Sequence, residues 1–377
     1  MNGNRFPPEL LSLPVAQRIA YFNDYTMAHP RLVEAFVDLK RAIYQAPGVS
    51  LIFVFGPTGV GKTTLLRRLI QKITSATLPE LEVDKGQMPI VGIEAMSPEF
   101  SQFDWKDFYL RILKALNEPL IDKKISYRDT KLKLRHAVES ALINRHPDAL
   151  YIDEAHHLAK LASGRKLKDQ PEALKSLSSL AKVRIVMVGT YDLMPLINLG
   201  DQLCRRSKSI HFPLYHADCD EDVFAFKSVL HTFERHLPLP EAPDLLQHWE
   251  DCYIHSVGCV GVLKDWLSQT LSAVLEERPD SPTITLKDLS QHALPVSQCL
   301  IMLKAAQQGE EKLKNTQAEL DQLRSAMGLL RKFPQMSTET TDSTSEQQPN
   351  PPFSRTKNKN VGKSKPRRYR VGGSSQC

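Results

Sequence analysis

The chain has 377 residues, with 49 Lys and Arg against 43 Asp and Glu, a formal net charge of +6, and 41% hydrophobic residues. That supports one large or two modest globular domains with a real core. No apolar run approaches the roughly twenty residues of a membrane helix, and the first residues lack a secretory apolar segment, so a cytoplasmic protein without membrane contact is expected. The cysteines at 204, 219, 252, 259, 299 and 377 form no C-x-x-C pair. Cys252, His255 and Cys259 fall short of a full zinc ligand set, and buried thiols in a reducing compartment are the simpler reading.

Residues 1–30 are punctuated by Pro7, Pro8, Pro14 and Pro30, with room for a short helix over Leu10–Phe22. Leu32, Val33, Phe36, Leu39 and Ile43 then recur at helical spacing, and Pro47-Gly48 ends that helix. Leu51–Phe55 is an apolar run with strand character. It opens into Gly56-Pro57-Thr58-Gly59-Val60-Gly61-Lys62-Thr63-Thr64, which fits G-x-x-x-x-G-K-T, and a helical pattern follows. Strand, glycine loop and helix are what a phosphate-binding P-loop requires. Backbone N–H groups at a helix N-terminus surround a dense anion, and glycines at 56, 59 and 61 permit close approach and positive φ. Lys62 would place its charge between the β- and γ-phosphates of ATP, and the Thr63 hydroxyl would reach Mg²⁺.

Thr74–Met88 reads as a polar connection and Pro89–Ile93 as a second buried strand. Trp105, Phe108, Tyr109, Ile112, Leu113 and Leu116 mark a helix. Residues 121–133 carry Lys123, Lys124, Arg128, Lys131 and Lys133; they suit either phosphate contact with DNA or a solvated surface. Another helix covers Leu132–Ile143.

Ala149–Ile152 is a short strand ending in Asp153-Glu154. Paired acids at the carboxyl end of a strand sit where an open parallel sheet binds its ligand. Asp153 would hold the Mg²⁺ shell and Glu154 would orient an attacking water, although such acids can also cap a helix. A further strand, Lys182–Thr190, leaves the Thr190 hydroxyl able to sense a γ-phosphate if it lies beside the Asp153 strand. Arg205-Arg206 precedes a fifth strand, Ser209–Pro213. Either arginine suits a finger presented to a neighbouring subunit's nucleotide, being permanently charged and forked.

From Tyr215 the pattern turns helical. Gly258–Leu267 reads as a turn opening a helix that would bring Lys264 toward the nucleotide. Leu300–Phe333 reads as one long polar helix. The remainder is Ser/Thr/Glu/Gln/Pro-rich and then basic, with eight positive charges and no acid from Arg355 to Arg370. That composition cannot bury enough apolar surface to fold alone. The charge of that run exceeds the net charge of the whole chain, so the folded body is nearly neutral and the tail carries the excess.

The P-loop, Tyr-Ile-Asp-Glu-Ala-His-His, Val-Gly-Thr, Arg-Arg and Gly-Cys-Val-Gly-Val-Leu-Lys-Asp-Trp-Leu occur in this order. Together they resemble the AAA+ ATPases. The His29-Pro30-Arg31-Leu32 segment and the Gly-x-Leu-Lys-Asp-Trp stretch resemble, more narrowly, the TniB/TnsC transposition regulators. The resemblance implies an α/β fold, a five-stranded parallel sheet flanked by helices, then a small all-helical lid and a disordered basic tail. The expected divisions are 1–30 as an N-terminal arm, 31–213 as the nucleotide-binding domain, 214–299 as the lid, 300–333 as a C-terminal helix and 334–377 as the tail. It further implies an ATP- and Mg²⁺-dependent homo-oligomer, a ring or helical filament on double-stranded DNA. Such an assembly links a TniQ/TnsD-like target-selection protein to a DDE-type transposase, and hydrolysis dismantles it. By motif, residues 56–64 and Lys264 contact ATP, Thr63 and Asp153 the metal, Glu154 the water, Thr190 acts as sensor, and Arg205 or Arg206 as finger. A signalling or defence scaffold switched by ATP without DNA is the competing reading. A replication-type loader is a third, against which stands the lack of an evident helix-turn-helix.

Overall fold

Strands β1 (Leu51–Phe55), β2 (Ile90–Glu94), β3 (Ala149–Asp153), β4 (Arg184–Gly189) and β5 (Ser207–His211) pair in parallel in the order β2-β3-β4-β1-β5. β1 is buried along its whole length, as a strand covered on both faces must be. The computed structural model describes residues 5–98, 103–118, 130–159, 165–197, 199 and 201–329. The chain divides into one unit over Met1–Asn315 and another from Thr316 onward.

The first helices are α1 (Val15–Asp24), α2 (Pro30–Tyr44), α3 (Lys62–Val83), α4 (Trp105–Ala115), α5 (Lys131–Arg145) and α6 (Arg165–Ala181). Side-chain alternation in β1 divides them between two layers. Leu51, Phe53 and Phe55 join the core under α4, α5 and α6. Ile52 and Val54 face the opposite way, onto α2 and α3. Two short helices, α7 (Met194–Ile197) and α8 (Asp201–Arg206), lead into β5.

After β5 come α9 (Asp220–His236), α10 (Trp249–Ser256), α11 (Val260–Glu277), α12 (Leu286–His292) and α13 (Val296–Glu311). Helices α9 to α12 surround a separate core with Phe226, Phe233, Leu263 and Leu271 at its centre. Phe22 of α1 is fully buried in that core, and the Arg18 guanidinium holds the carbonyls of Pro238 and Pro279. The first helix of the chain is thus packed into its helical part. α14 (Gln317–Ala326) lies in the second unit.

Two expectations from the sequence are corrected. The connection expected over Thr74–Met88 is mostly helix, because α3 runs on to Val83 with Pro79 inside it. Its last buried residue is Ile73, so the later turns face solvent and look polar without being loop. The single helix expected over 300–333 is two, parted around residue 315. Thr316 starts the second with a capping box: its hydroxyl accepts the Glu319 N–H while the Glu319 carboxylate accepts the Thr316 N–H.

Candidate nucleotide site

β1 delivers the chain into the loop 56–61, and α3 starts at Lys62. Gly59 and Gly61 have φ of 78° and 109°, which other residues adopt only with strain. Gly56 does not share that conformation; a Cβ there would lie 2.0 Å from the Phe212 carbonyl oxygen, so it is glycine for close approach. The Lys62 ammonium donates to the carbonyls of Gly56 and Pro57 at 3.0 and 2.7 Å. Burial pushes it down to about 8, against the pull of the Glu154 and Asp153 carboxylates.

Asp153 ends β3, and its carboxylate accepts the Thr63 hydroxyl at 3.4 Å and the Glu154 N–H at 2.9 Å. Burial raises its pKa, as does the neighbouring Glu154 charge. Thr63 and Asp153 together offer hard oxygen donors of the kind Mg²⁺ takes. Glu154 turns the chain with a left-handed φ of 50°, and its carboxylate lies 3.0 Å from His156 Nδ1. Thr190 follows β4, the strand between β3 and β1, and its hydroxyl accepts the Asp192 N–H. Lys62, Thr63, Asp153, Glu154 and Thr190 therefore gather at the carboxyl ends of three adjacent parallel strands, where open α/β sheets bind ligands.

Arg205 and Arg206 do not join them. They are exposed at the end of α8, immediately before β5, and the Arg206 carbonyl accepts the Ser50 N–H at the amino end of β1. A strand of five residues, about 17 Å, separates them from the loop of their own chain. Lys264 is also turned aside. Its ammonium donates to the Phe22 carbonyl and sits 3.4 Å from the centre of the Phe22 ring, while burial pushes it down to about 7. It does line a cavity of about 60 Å³ with Tyr25, His29, Val60, Gly61 and Thr64. With its walls as they stand, that volume is far below the roughly 300–1,000 Å³ of ordinary ligand pockets.

The first turn of α11 forms one of those walls. A Cβ on Gly261 would lie 2.4 Å from the Gly59 carbonyl oxygen, and a Cβ on Gly59 would lie 2.4 Å from Val262 Cγ2. Tyr25, His29 and Phe22 were not singled out as site residues in the sequence. The only signal was the His-Pro-Arg stretch itself.

The DNA candidates divide. Lys123, Lys124 and Arg128 lie outside the described residues, as does the tail. Lys131 is exposed at the start of α5 with its ammonium 5.1 Å from the Trp105 ring centre. Cys252 and Cys259 are buried thiols pushed up to about 12 by that burial, and His255 Nδ1 donates to the Leu294 carbonyl. Among the described residues they form no metal-ligand group; Glu154, His156 and His157 are the group whose donor atoms come within 4.8 Å. Among the described residues no helix is long and apolar enough to cross a membrane.

A family model described as an AAA domain matches residues 48–197. No curated protein matches the chain. Among solved structures, the chain is similar to the ORC1 protein of Aeropyrum pernix in complex with DNA, at 14% identity and TM-score 0.52, covering 76% of this chain and 68% of that one. It is also similar to the ORC2 protein of Aeropyrum pernix (14%, TM-score 0.49, 73% and 71%) and to Cdc6p of Pyrobaculum aerophilum (18%, 0.47, 78% and 72%). Glycine loop, paired acids, sheet order and the AAA domain match agree: the protein is an ATPase built on the AAA+ fold.

Proposed function

We propose that the protein is an ATP-dependent, DNA-binding oligomer that regulates DNA transposition, joining a target-selection protein to a DDE-type transposase. The observation that carries the oligomer is the separation of Arg205 and Arg206 from the glycine loop of their own chain, whose own cation at the strand ends is the half-buried Lys62. A neighbouring copy that presents one of them completes the charge around a triphosphate. DNA and transposition rest on the TniB/TnsC-like His29-Pro30-Arg31 and lid motifs and on the basic tail. The ORC1 protein of similar fold was solved with DNA, which makes the same ligand reasonable for this chain.

In this reading Lys62 leaves the carbonyls of Gly56 and Pro57 for the β- and γ-phosphate oxygens. Thr63 and Asp153 would hold Mg²⁺, which would neutralise charge on the phosphates when bound. Glu154 orients the attacking water and Thr190 donates to the γ-phosphate. Hydrolysis then dismantles the assembly, so the bound nucleotide sets its lifetime. Mobility shift on random-sequence duplex tests this: ATP with Glu154→Gln should give stable complexes, and ADP should not. Protein that binds ATP and ignores DNA would move the assignment to an ATP-switched scaffold.

A further inference from the structure

His29 and Arg31 play no part in those steps, yet both reach across the molecule. His29 is 4% exposed, with Nδ1 3.0 Å from the Tyr215 hydroxyl. The Arg31 guanidinium donates to both carboxylate oxygens of Asp222 at 2.8 and 2.9 Å. Asp222 is buried and also accepts the His216 N–H at 3.0 Å. The start of α2, whose Leu32 and Leu39 belong to the sheet's core, is thereby tied at two points to the entry of the helical part. A forked, doubly bonded pair fixes orientation as well as distance.

Tyr215 passes that restraint onward. Its N–H donates to the Gly258 carbonyl at 3.1 Å, and its own carbonyl accepts the Tyr253 hydroxyl at 2.7 Å. Gly258, with φ of 65°, fits so closely that a Cβ would lie 2.4 Å from the Tyr215 carbonyl oxygen. Two residues later α11 begins, and its first turn rests on Gly59 of the glycine loop. The contacts from α2 to the loop are continuous, through closely packed backbone.

We propose that Arg31, Asp222 and Tyr215 are positioning residues for the nucleotide site, setting the angle at which α11 closes on the glycine loop and so the rate at which nucleotide leaves. The proposal rests on the assignment of residues 56–63 as the phosphate loop. None of the three lines the cavity beside Val60 and Gly61, so an effect on nucleotide release acts through the fold and not through direct contact.

Release of a fluorescent ATP analogue from the full-length protein, followed by stopped flow, tests it. Arg31→Ala and Asp222→Ala should each speed release roughly tenfold, and the double variant should be no faster than either, because both lose one shared pair. Tyr215→Phe keeps the ring, loses only the hydroxyl, and should speed release roughly threefold. A purely structural role would lower Tm and leave release unchanged; that result in Arg31→Ala and Tyr215→Phe overturns the proposal. If Arg31→Ala does not fold, Tyr215→Phe alone decides. Lys62→Ala separates the underlying assignment: if it binds the analogue as tightly as the unaltered chain, the phosphate-loop reading falls and the proposal with it.

Discussion

Lys62 and Glu154 sit in different settings, and their substitutions should separate accordingly. Lys62→Ala removes the half-buried ammonium at the loop, so nucleotide binding should be lost in calorimetry. Glu154→Gln keeps size and hydrogen bonding; ATP should bind normally while turnover falls by about 10² or more. A Gln variant with ordinary turnover would remove Glu154 from catalysis. His29 yields a pH prediction. Burial first, and Arg68 next, push its pKa from 6.5 down to about 4, a gap worth ~3 kcal/mol. Only the unfolded chain takes up the proton between those values. The contribution is therefore complete above pH 6.5 and is lost as pH falls toward 4. Urea midpoints should fall between pH 7 and 5 in the unaltered chain and less in His29→Gln; equal slopes would contradict this. The places of Lys62, Thr63, Asp153 and Thr190 at the carboxyl ends of the strands could be read in advance because each belongs to a short contiguous motif whose neighbours dictate its geometry. The surroundings of Lys264 could not, because the carbonyl it holds belongs to Phe22, 242 residues earlier.

Among the elements, the first four strands were legible as short apolar runs, each ending in or just before glycine, acid or threonine; β5, Ser-Lys-Ser-Ile-His, is polar at its start and begins two residues before the expected Ser209. Helix boundaries were less so. The late turns of α3 are polar because only its first half meets the sheet, and the break before α14 was signalled by a Thr-x-x-Glu capping box lying unread in the sequence. The place of α1 depends on pairing Phe22 with residues far down the chain, which no local pattern encodes. Phe22→Ala should cost ~3–5 kcal/mol by leaving a cavity in the helical core, read from chemical unfolding. Gly261 tests the contact between α11 and the glycine loop. Helix propensity alone favours Ala there by ~1 kcal/mol. The added Cβ, however, would meet the Gly59 carbonyl oxygen, which is backbone and cannot swing away. Gly261→Ala should therefore lower stability and raise the KM for ATP together; an unchanged KM would mean that the turn lifts without disturbing the loop.

For the whole molecule, the glycine loop is where the two cores meet, since the loop belongs to the sheet layer and the turn that covers it to the helical one. Ligand at 100 times its Kd should add ~2.7 kcal/mol of stability, absent in Lys62→Ala. Charge is distributed as unevenly as the contacts. The run Arg355–Arg370 outweighs the net charge of the chain, so deleting residues 355–377 should weaken DNA binding and flatten its dependence on salt. An unchanged salt slope would assign the tail to a protein partner. The central claim, assembly on DNA governed by ATP, is tested most directly by electron microscopy of the full-length protein with duplex DNA, comparing a slowly hydrolysed ATP analogue with ADP. Regular rings or filaments on DNA with the triphosphate alone are predicted. Particles that bind the analogue yet leave the DNA bare would contradict the account.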